Sequence, residues 1–133
     1  MYDYKIKRGS IRVVDGDTIK CVLDLGFSIL HKATIRLAGI NCPETRTRNL
    51  VEKELGKKAK SRLKELIKGQ DIELHCEKEK GKFGRVIGTL WVNDTLGSDT
   101  ENLAYTTKRN LNKQMIQEGH AREYTGGKRL PWV

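Results

Sequence analysis

The chain has no CxxC pair and only three cysteines, Cys21, Cys42 and Cys76, an odd number that excludes a closed disulfide framework and the usual zinc sites. They read as reduced packing residues. No apolar run approaches a membrane span, and the opening stretch MYDYKIKRGS lacks the hydrophobic region of a signal peptide. The expectation is a cytoplasmic protein without membrane contact. Aromatic residues make up 6% of the chain, which leaves few platforms for stacking on bases. Acidic residues are in deficit: 17 Asp and Glu face 26 Lys and Arg, for a net charge of +9 and a pI near 9.6. That excess favours polyanionic partners, nucleic acid first among them, with a solubilising surface as an equal explanation. Internal repeats and low-complexity segments are also missing.

At 133 residues the chain suits one domain, 1–133, burying roughly two-thirds of its unfolded surface. A monomer with one active site is expected. Residues 11–23, IRVVDGDTIKCVL, carry β-branched residues around an Asp-Gly-Asp break and read as two strands or one bulged strand. Residues 27–40 read as another strand. In 71–77 Ile72, Leu74 and Cys76 alternate with Glu73 and His75, and 85–92 follow the glycine-bearing turn KGKFG. One helix is clear over 52–68: Leu55, Ala59, Leu63, Leu66 and Ile67 recur at helical spacing, basic residues fill the outer face, and Gly69 is the stop. A shorter helix is expected over 110–119, with Leu111, Met115 and Ile116 inward. The polar stretch 93–109 reads as a loop, and the tail TGGKRLPWV shows no pattern. Short strands around one strong helix suit a small closed β-barrel with packed helices, for which OB-type, SH3-like and other α+β folds are all solutions.

Chemistry concentrates in three stretches. In VVDGDTI, Asp15 and Asp17 leave the same face of an extended chain, and two repelling carboxylates suit a hard cation such as Ca²⁺ or Mg²⁺. A solvated Asp-Gly turn explains the pattern more simply. An EF-hand loop starting at Asp15 is excluded, because its twelfth position is Gly26. In IRLAGINCPET, Arg36 sits on a strand and Pro43 stiffens the turn carrying Glu44. A fixed guanidinium and carboxylate beside a cation are the parts phosphodiester cleavage needs; a surface Arg36–Glu44 ion pair is the plain alternative. In KGKFGR, two glycines shape a turn presenting Lys82, Phe83 and Arg85, a ring flanked by cations.

In this order and at these separations, VVDGDTI, IRLAGINCPET and GKFGR resemble the staphylococcal nuclease (thermonuclease) family, and QEGHA at 117–121 is similar to a helix end in it. The resemblance runs from about residue 10 to residue 124. It implies a five-stranded Greek-key OB-fold barrel with packed helices. It also implies a metal-dependent nuclease that cuts DNA, with RNA as a further substrate, with little sequence specificity and leaving 3′-phosphate ends. By the same resemblance Arg36, Glu44 and Arg85 are catalytic, the arginines on the phosphate and Glu44 as base for the attacking water. Asp17, Asn41 and the backbone carbonyl of Cys42 hold Ca²⁺, with Asp15 in support, while Lys82, Phe83 and Tyr124 contact the substrate. Two positions depart from the family: Phe83 replaces a tyrosine and Asn41 replaces a metal-binding aspartate. An amide oxygen still coordinates a hard cation with one charge fewer, so weaker Ca²⁺ binding, or a shift toward Mg²⁺ or Mn²⁺, is expected. The GGKR-x-PW tail is similar to small phage-associated members, which hints at a phage or prophage origin.

A catalytically silent OB-fold module for single-stranded nucleic acid would share the basic surface; Asn41 speaks for it, and the low aromatic content speaks against it. A structural subunit is a further alternative. Against both stands the presence of Asp17, Arg36, Glu44 and Arg85 together, which binding alone does not require.

Overall fold

The computed structural model describes residues 2–76, 85–95 and 106–125, together with 127, 130 and 132. Its elements run β1 (Tyr2–Ile6), β2 (Arg12–Asp15), β3 (Thr18–Asp24), β4 (Leu30–Leu37), β5 (Ile40–Asn41), α1 (Leu50–Ile67), β6 (Ile72–Cys76), β7 (Val86–Thr95), β8 (Thr106–Asn110), α2 (Leu111–Gln117) and β9 (Arg122–Glu123). Strand neighbours follow the order β1-β6-β7-β4-β3, and β1 also pairs with β3, closing a ring of five. Closure leaves those strands no free edge, the expected OB-like solution. Within the ring β4 and β7 run parallel and the other pairs antiparallel. Outside it, β2 pairs with β3, β8 with β7 and β5 with β9. Among the described residues no helix is long and apolar enough to cross a membrane.

Of the two readings of 11–23, the chain takes the broken one: β2 and β3 flank Gly16, and their register slips between Val13 and Asp15. The strand read over 27–40 begins only at Leu30. Gly26, Phe27 and Ser28 all have positive φ (84°, 53° and 63°), so the chain reverses there and Ile29 N–H closes the turn on the Gly26 carbonyl at 2.9 Å. The loop read over 93–109 is a strand at both ends: β7 continues to Thr95 and pairs with β8 from Trp91↔Asn110 to Thr95↔Thr106. Polar sequence hid it because an outer strand needs few apolar side chains. Residues 96–105 lie outside the described ones. The N-terminal stretch, unassigned from sequence, supplies β1, which runs along β6 from Tyr2↔Cys76 to Lys5↔Glu73.

Helix α1 begins two residues before the expected start because Asn49 caps it, its Oδ1 accepting the Val51 and Glu52 N–H groups at 3.0 and 3.1 Å. Its buried face is Gly56, Ala59, Leu63, Leu66 and Ile67, whereas Leu55, expected inward, is 36% exposed. The face is turned because the helix backbone packs against other backbone. A Cβ at Gly16 would stand 2.7 Å from the Ala59 Cβ, and one at Gly56 would stand 2.6 Å from the Glu44 carbonyl oxygen. Helix α2 buries Leu111 and Met115 as expected, leaves Ile116 half-buried, and also buries Asn112. Asn112 Nδ2 donates to the Ala38 and Gly88 carbonyls at 2.9 and 3.1 Å, and its Oδ1 accepts the Leu90 N–H at 3.2 Å. A buried amide so satisfied ties α2 to β7 and to the end of β4. All three cysteines are buried and reduced, and burial pushes the Cys21 thiol up to about 12.

Candidate functional site

Asp17 directly precedes β3 after the Gly16 break, and the β3–β4 register sets Thr18 opposite Arg36. The carboxylate is only 6% exposed. A buried charge needs compensation, and three groups supply it. The Cys42 N–H donates to Oδ2 at 2.8 Å, the Thr18 hydroxyl donates to Oδ1 at 2.9 Å, and Arg36 Nη2 lies 3.5 Å from Oδ2. Arg36 Nη1 also donates to the Asp17 and Leu37 carbonyls at 3.3 and 3.1 Å, which fixes the plane of the guanidinium. The structure therefore joins Arg36 to Asp17, two residues singled out separately in the sequence.

The turn carrying Glu44 is held from three directions. Asp15 Oδ1 accepts the Thr45 hydroxyl at 2.6 Å and the Thr45 N–H at 3.4 Å, so this carboxylate ties down the residue after Glu44. The Glu44 N–H donates to Glu52 Oε2 at 3.1 Å, a bond from the first turn of α1. Gly56 brings the α1 backbone against the Pro43 and Glu44 carbonyls. Thr45, Glu52 and Gly56 were not anticipated as parts of the site; the available signal was a glycine inside an otherwise strong helix, which calls for a packing reason.

Asn41 stands between these groups. It is 4% exposed, and its Oδ1 is buried without a hydrogen-bond partner, the one such side-chain atom among the described residues. Leaving a carbonyl so orphaned costs about 1–3 kcal/mol unless something else satisfies it. A hard cation fits the donor set, which is all oxygen: the Asn41 amide and the Asp17 carboxylate. No three His, Cys, Asp or Glu side chains converge on a common point among the described residues.

Asn41 pairs with Arg122 across β5 and β9, and a cavity of about 150 Å³ borders it, lined also by Arg122, Tyr124 and Leu130. Tyr124 donates its N–H to the Gly39 carbonyl at 2.9 Å and its hydroxyl to the Gly127 carbonyl at 2.6 Å, so the structure brings it beside Asn41. The Arg122 guanidinium lies 3.8 Å over the Trp132 ring, which gives that part of the tail a place against β9. Arg85 is exposed, one residue ahead of β7, whose parallel register with β4 sets Ile35 opposite Val86 and Arg36 opposite Ile87. With Val86 inward, Arg85 shares the outer face with Arg36, and the two Cα atoms fall about 8 Å apart by strand geometry. Lys82, Phe83, Lys128 and Arg129 lie outside the described residues.

Residues 34–129 match the family described as staphylococcal nuclease homologue. The chain is 31% identical over 114 residues to protein ParB of Escherichia coli, covering 86% of this chain and 55% of that one. It is 33% identical over 86 residues to the thermonuclease of Staphylococcus intermedius, covering 64% and 48% of the two chains. With the SPbeta prophage-derived endonuclease YokF of Bacillus subtilis (strain 168) it shares 32% identity over 83 residues, 61% and 26% of the two. The chain thus spans about half, or less, of the length of these curated relatives. The matched region contains Arg36, Asn41, Glu44, Arg85 and Tyr124, and the chain belongs to the staphylococcal nuclease homologue family.

Proposed function

We propose that the protein is a metal-dependent nuclease that hydrolyses the phosphodiester bonds of DNA, and of RNA as a second substrate, with little sequence specificity. The observation that carries this reading is the constellation itself: a buried Asp17–Arg36 pair, an orphaned Asn41 oxygen, and a Glu44 turn clamped by Asp15, Glu52 and Gly56. A binding surface has no need to fix the backbone of one glutamate's turn so firmly.

In this mechanism Arg36 and Arg85 bind the non-bridging oxygens of one phosphate, a reading supported by the strand face they share. Glu44 accepts the proton of a water molecule as that water's oxygen attacks phosphorus. The bond to the 5′-oxygen breaks, leaving a 3′-phosphate, and the two guanidiniums offset the charge that develops. Asp17, Asn41 Oδ1 and the Cys42 carbonyl would hold a Ca²⁺-type ion, which when bound polarises a phosphate oxygen. Tyr124 beside Asn41 contacts the nucleotide.

The amide at position 41 supports a second reading, a silent module that binds single strands, because it removes one charge from the ion's surroundings. Digestion of plasmid and heat-denatured DNA across Ca²⁺, Mg²⁺ and Mn²⁺ separates the two. Cutting that requires metal and is lost in Glu44→Gln is the expected result. DNA binding without cutting in every metal would overturn the nuclease in favour of the module.

A further inference from the structure

The C-terminal half of α1 and the β1–β2 connection enclose a groove of about 1010 Å³. Lys7, Arg8, Arg12, Lys60, Lys64 and Lys68 line it, and no carboxylate does. Its floor is aliphatic, formed by Ile6, Ile11, Ile67 and Ile72, with no aromatic ring.

The charges of α1 are sorted between its two flanks. On one, Glu54 pairs with Lys57 at 3.7 Å, and Arg62 pairs with Glu65 at 3.0 Å and bonds Glu118 of α2 at 3.1 Å. On the other, Lys60, Lys64 and Lys68 repeat at four-residue spacing, an arrangement in which like charges oppose one another. Among the described residues neither these three nor Arg12 forms an ion pair, whereas Arg8 is tied to Asp71 at 3.1 Å. The negative end of the helix favours Lys64 and Lys68, but Lys60 and Arg12 lie beyond its reach. An unpaired basic row in a concave surface suits a ligand that carries its own regularly spaced negative charge.

The groove is continuous with the candidate site on both walls. Lys60 is one turn along α1 from Gly56, which abuts Glu44, and it follows Ala59, which lies under Gly16. Arg12 and Val13 lead along β2 to Asp15. From Gly56 to Lys68 the helix rises about 18 Å, a length that spans several phosphates of a strand.

We propose that this groove carries the sugar-phosphate backbone of a nucleic-acid strand running away from the scissile phosphate, so that the protein grips several nucleotides beyond the bond it cuts. The inference rests on the nuclease reading. Cations on the rim and no ring in the floor give phosphate contacts without base stacking, a grip indifferent to sequence.

The test compares wild type with Lys60→Gln/Lys64→Gln/Lys68→Gln, and with Lys57→Gln/Lys58→Gln/Lys113→Gln, none of which lines the groove, as a control of equal charge change. Binding of a fluorescent single strand of about 20 nucleotides is followed in EDTA as salt rises from about 50 to about 200 mM; at about 0.7 per phosphate contact, losing three flattens the salt slope by about 2 and narrows the gap to wild type about 20-fold. The control set leaves that slope near wild type. With metal present, the ratio of kcat/KM on the long strand to that on a dinucleotide falls about tenfold in the groove variant. An unchanged slope and ratio, or equal losses in both triple variants, would overturn the groove while wild-type cutting stood. Wild-type protein that binds the long strand but cuts neither substrate would instead sink the nuclease reading. Arg12→Glu, on the opposite wall, repeats the comparison without touching the helix.

Discussion

Adding one methyl group at Gly56 puts a carbon 2.6 Å from the Glu44 carbonyl oxygen, 2.7 Å from the Glu44 carbonyl carbon and 2.9 Å from the Pro43 carbonyl oxygen. Favourable contact begins at about 3.5 Å, so in Gly56→Ala either the helix or the turn must yield by about 1 Å. The obstacle is backbone on both sides and cannot step aside as a flexible side chain would. Alanine raises helix propensity by about 1 kcal/mol, and overpacking costs about 1–3 kcal/mol, so the net loss of stability is about 0–2 kcal/mol. Activity is expected to fall much further, because a displacement of about 1 Å at a catalytic group costs on the order of 100-fold. The assay is kcat/KM on single-stranded DNA beside a thermal melt. A protein that melts higher than wild type and cuts at full rate would refute the argument that α1 sets the position of Glu44. Gly56→Ser, with the same Cβ, should repeat the loss.

Four further outcomes are expected. Asn41→Asp places a second buried carboxylate near Asp17, so without metal it melts below wild type, and Ca²⁺ then raises its melting temperature at lower concentration than in wild type; a melt indifferent to Ca²⁺ in both proteins would count against Asn41 as a ligand. Asn112→Leu takes from the Leu90 N–H and the Ala38 carbonyl their bonds to the amide, leaves the Gly88 carbonyl only the Ala38 N–H, and should cost about 3 kcal/mol in urea unfolding; a loss below about 1 kcal/mol would mean that other groups take over those bonds. Hydrogen bonds from Asn93 and His75, with help from Lys108, lower the Glu73 carboxyl to about 2, below its unfolded value, so its stabilisation is complete above about pH 4.5 and is lost as pH falls toward 2. Acid unfolding of Glu73→Gln should be less steep across that window, and an identical profile would contradict the assignment. Cys21, its thiol pushed up to about 12, should resist a thiol reagent at neutral pH in the folded protein and react once the chain is unfolded in urea.

The readable part of the molecule was the part governed by local rules. Alternation across β6 and the helical repeat in α1 follow from burial of one face, and Gly69 marks the helix end by backbone chemistry alone, whereas the Asn49 cap that sets its start was missed. The residues of the site were visible because glycine and proline set off the turns that carry them. Harder to read was whatever depends on a distant partner. Nothing local to α1 shows that Gly56 and not Leu55 must face inward, since the reason is the Pro43–Glu44 turn. Strand β8 is polar and is held by backbone pairing with β7, and β1 sends only Ile6 fully into the core, with Tyr4 partly packed against it. Asp15 reads as a supporting carboxylate beside Asp17, and its bonds to Thr45 could not be foreseen, because the β2–β3 break and the following fold bring that partner to it.

The parallel pairing of β4 with β7, and the antiparallel pairing of β5 with β9 beside Asn41, have a consequence for when the molecule can act. Asp17, Arg36 and Glu44 come early in the chain, Arg85 waits for a strand beyond α1, and Tyr124 follows β9, the last described strand. Contacts of such long sequence separation form late, after the loops between them have closed. A nascent or partly degraded chain therefore holds the acidic half of its site without the second arginine that would bear on a phosphate. Under the proposed function, hydrolysis is possible only once the entire barrel has closed, so the fold itself withholds a nucleic-acid-cutting activity until the strands on both sides of α1 are in place.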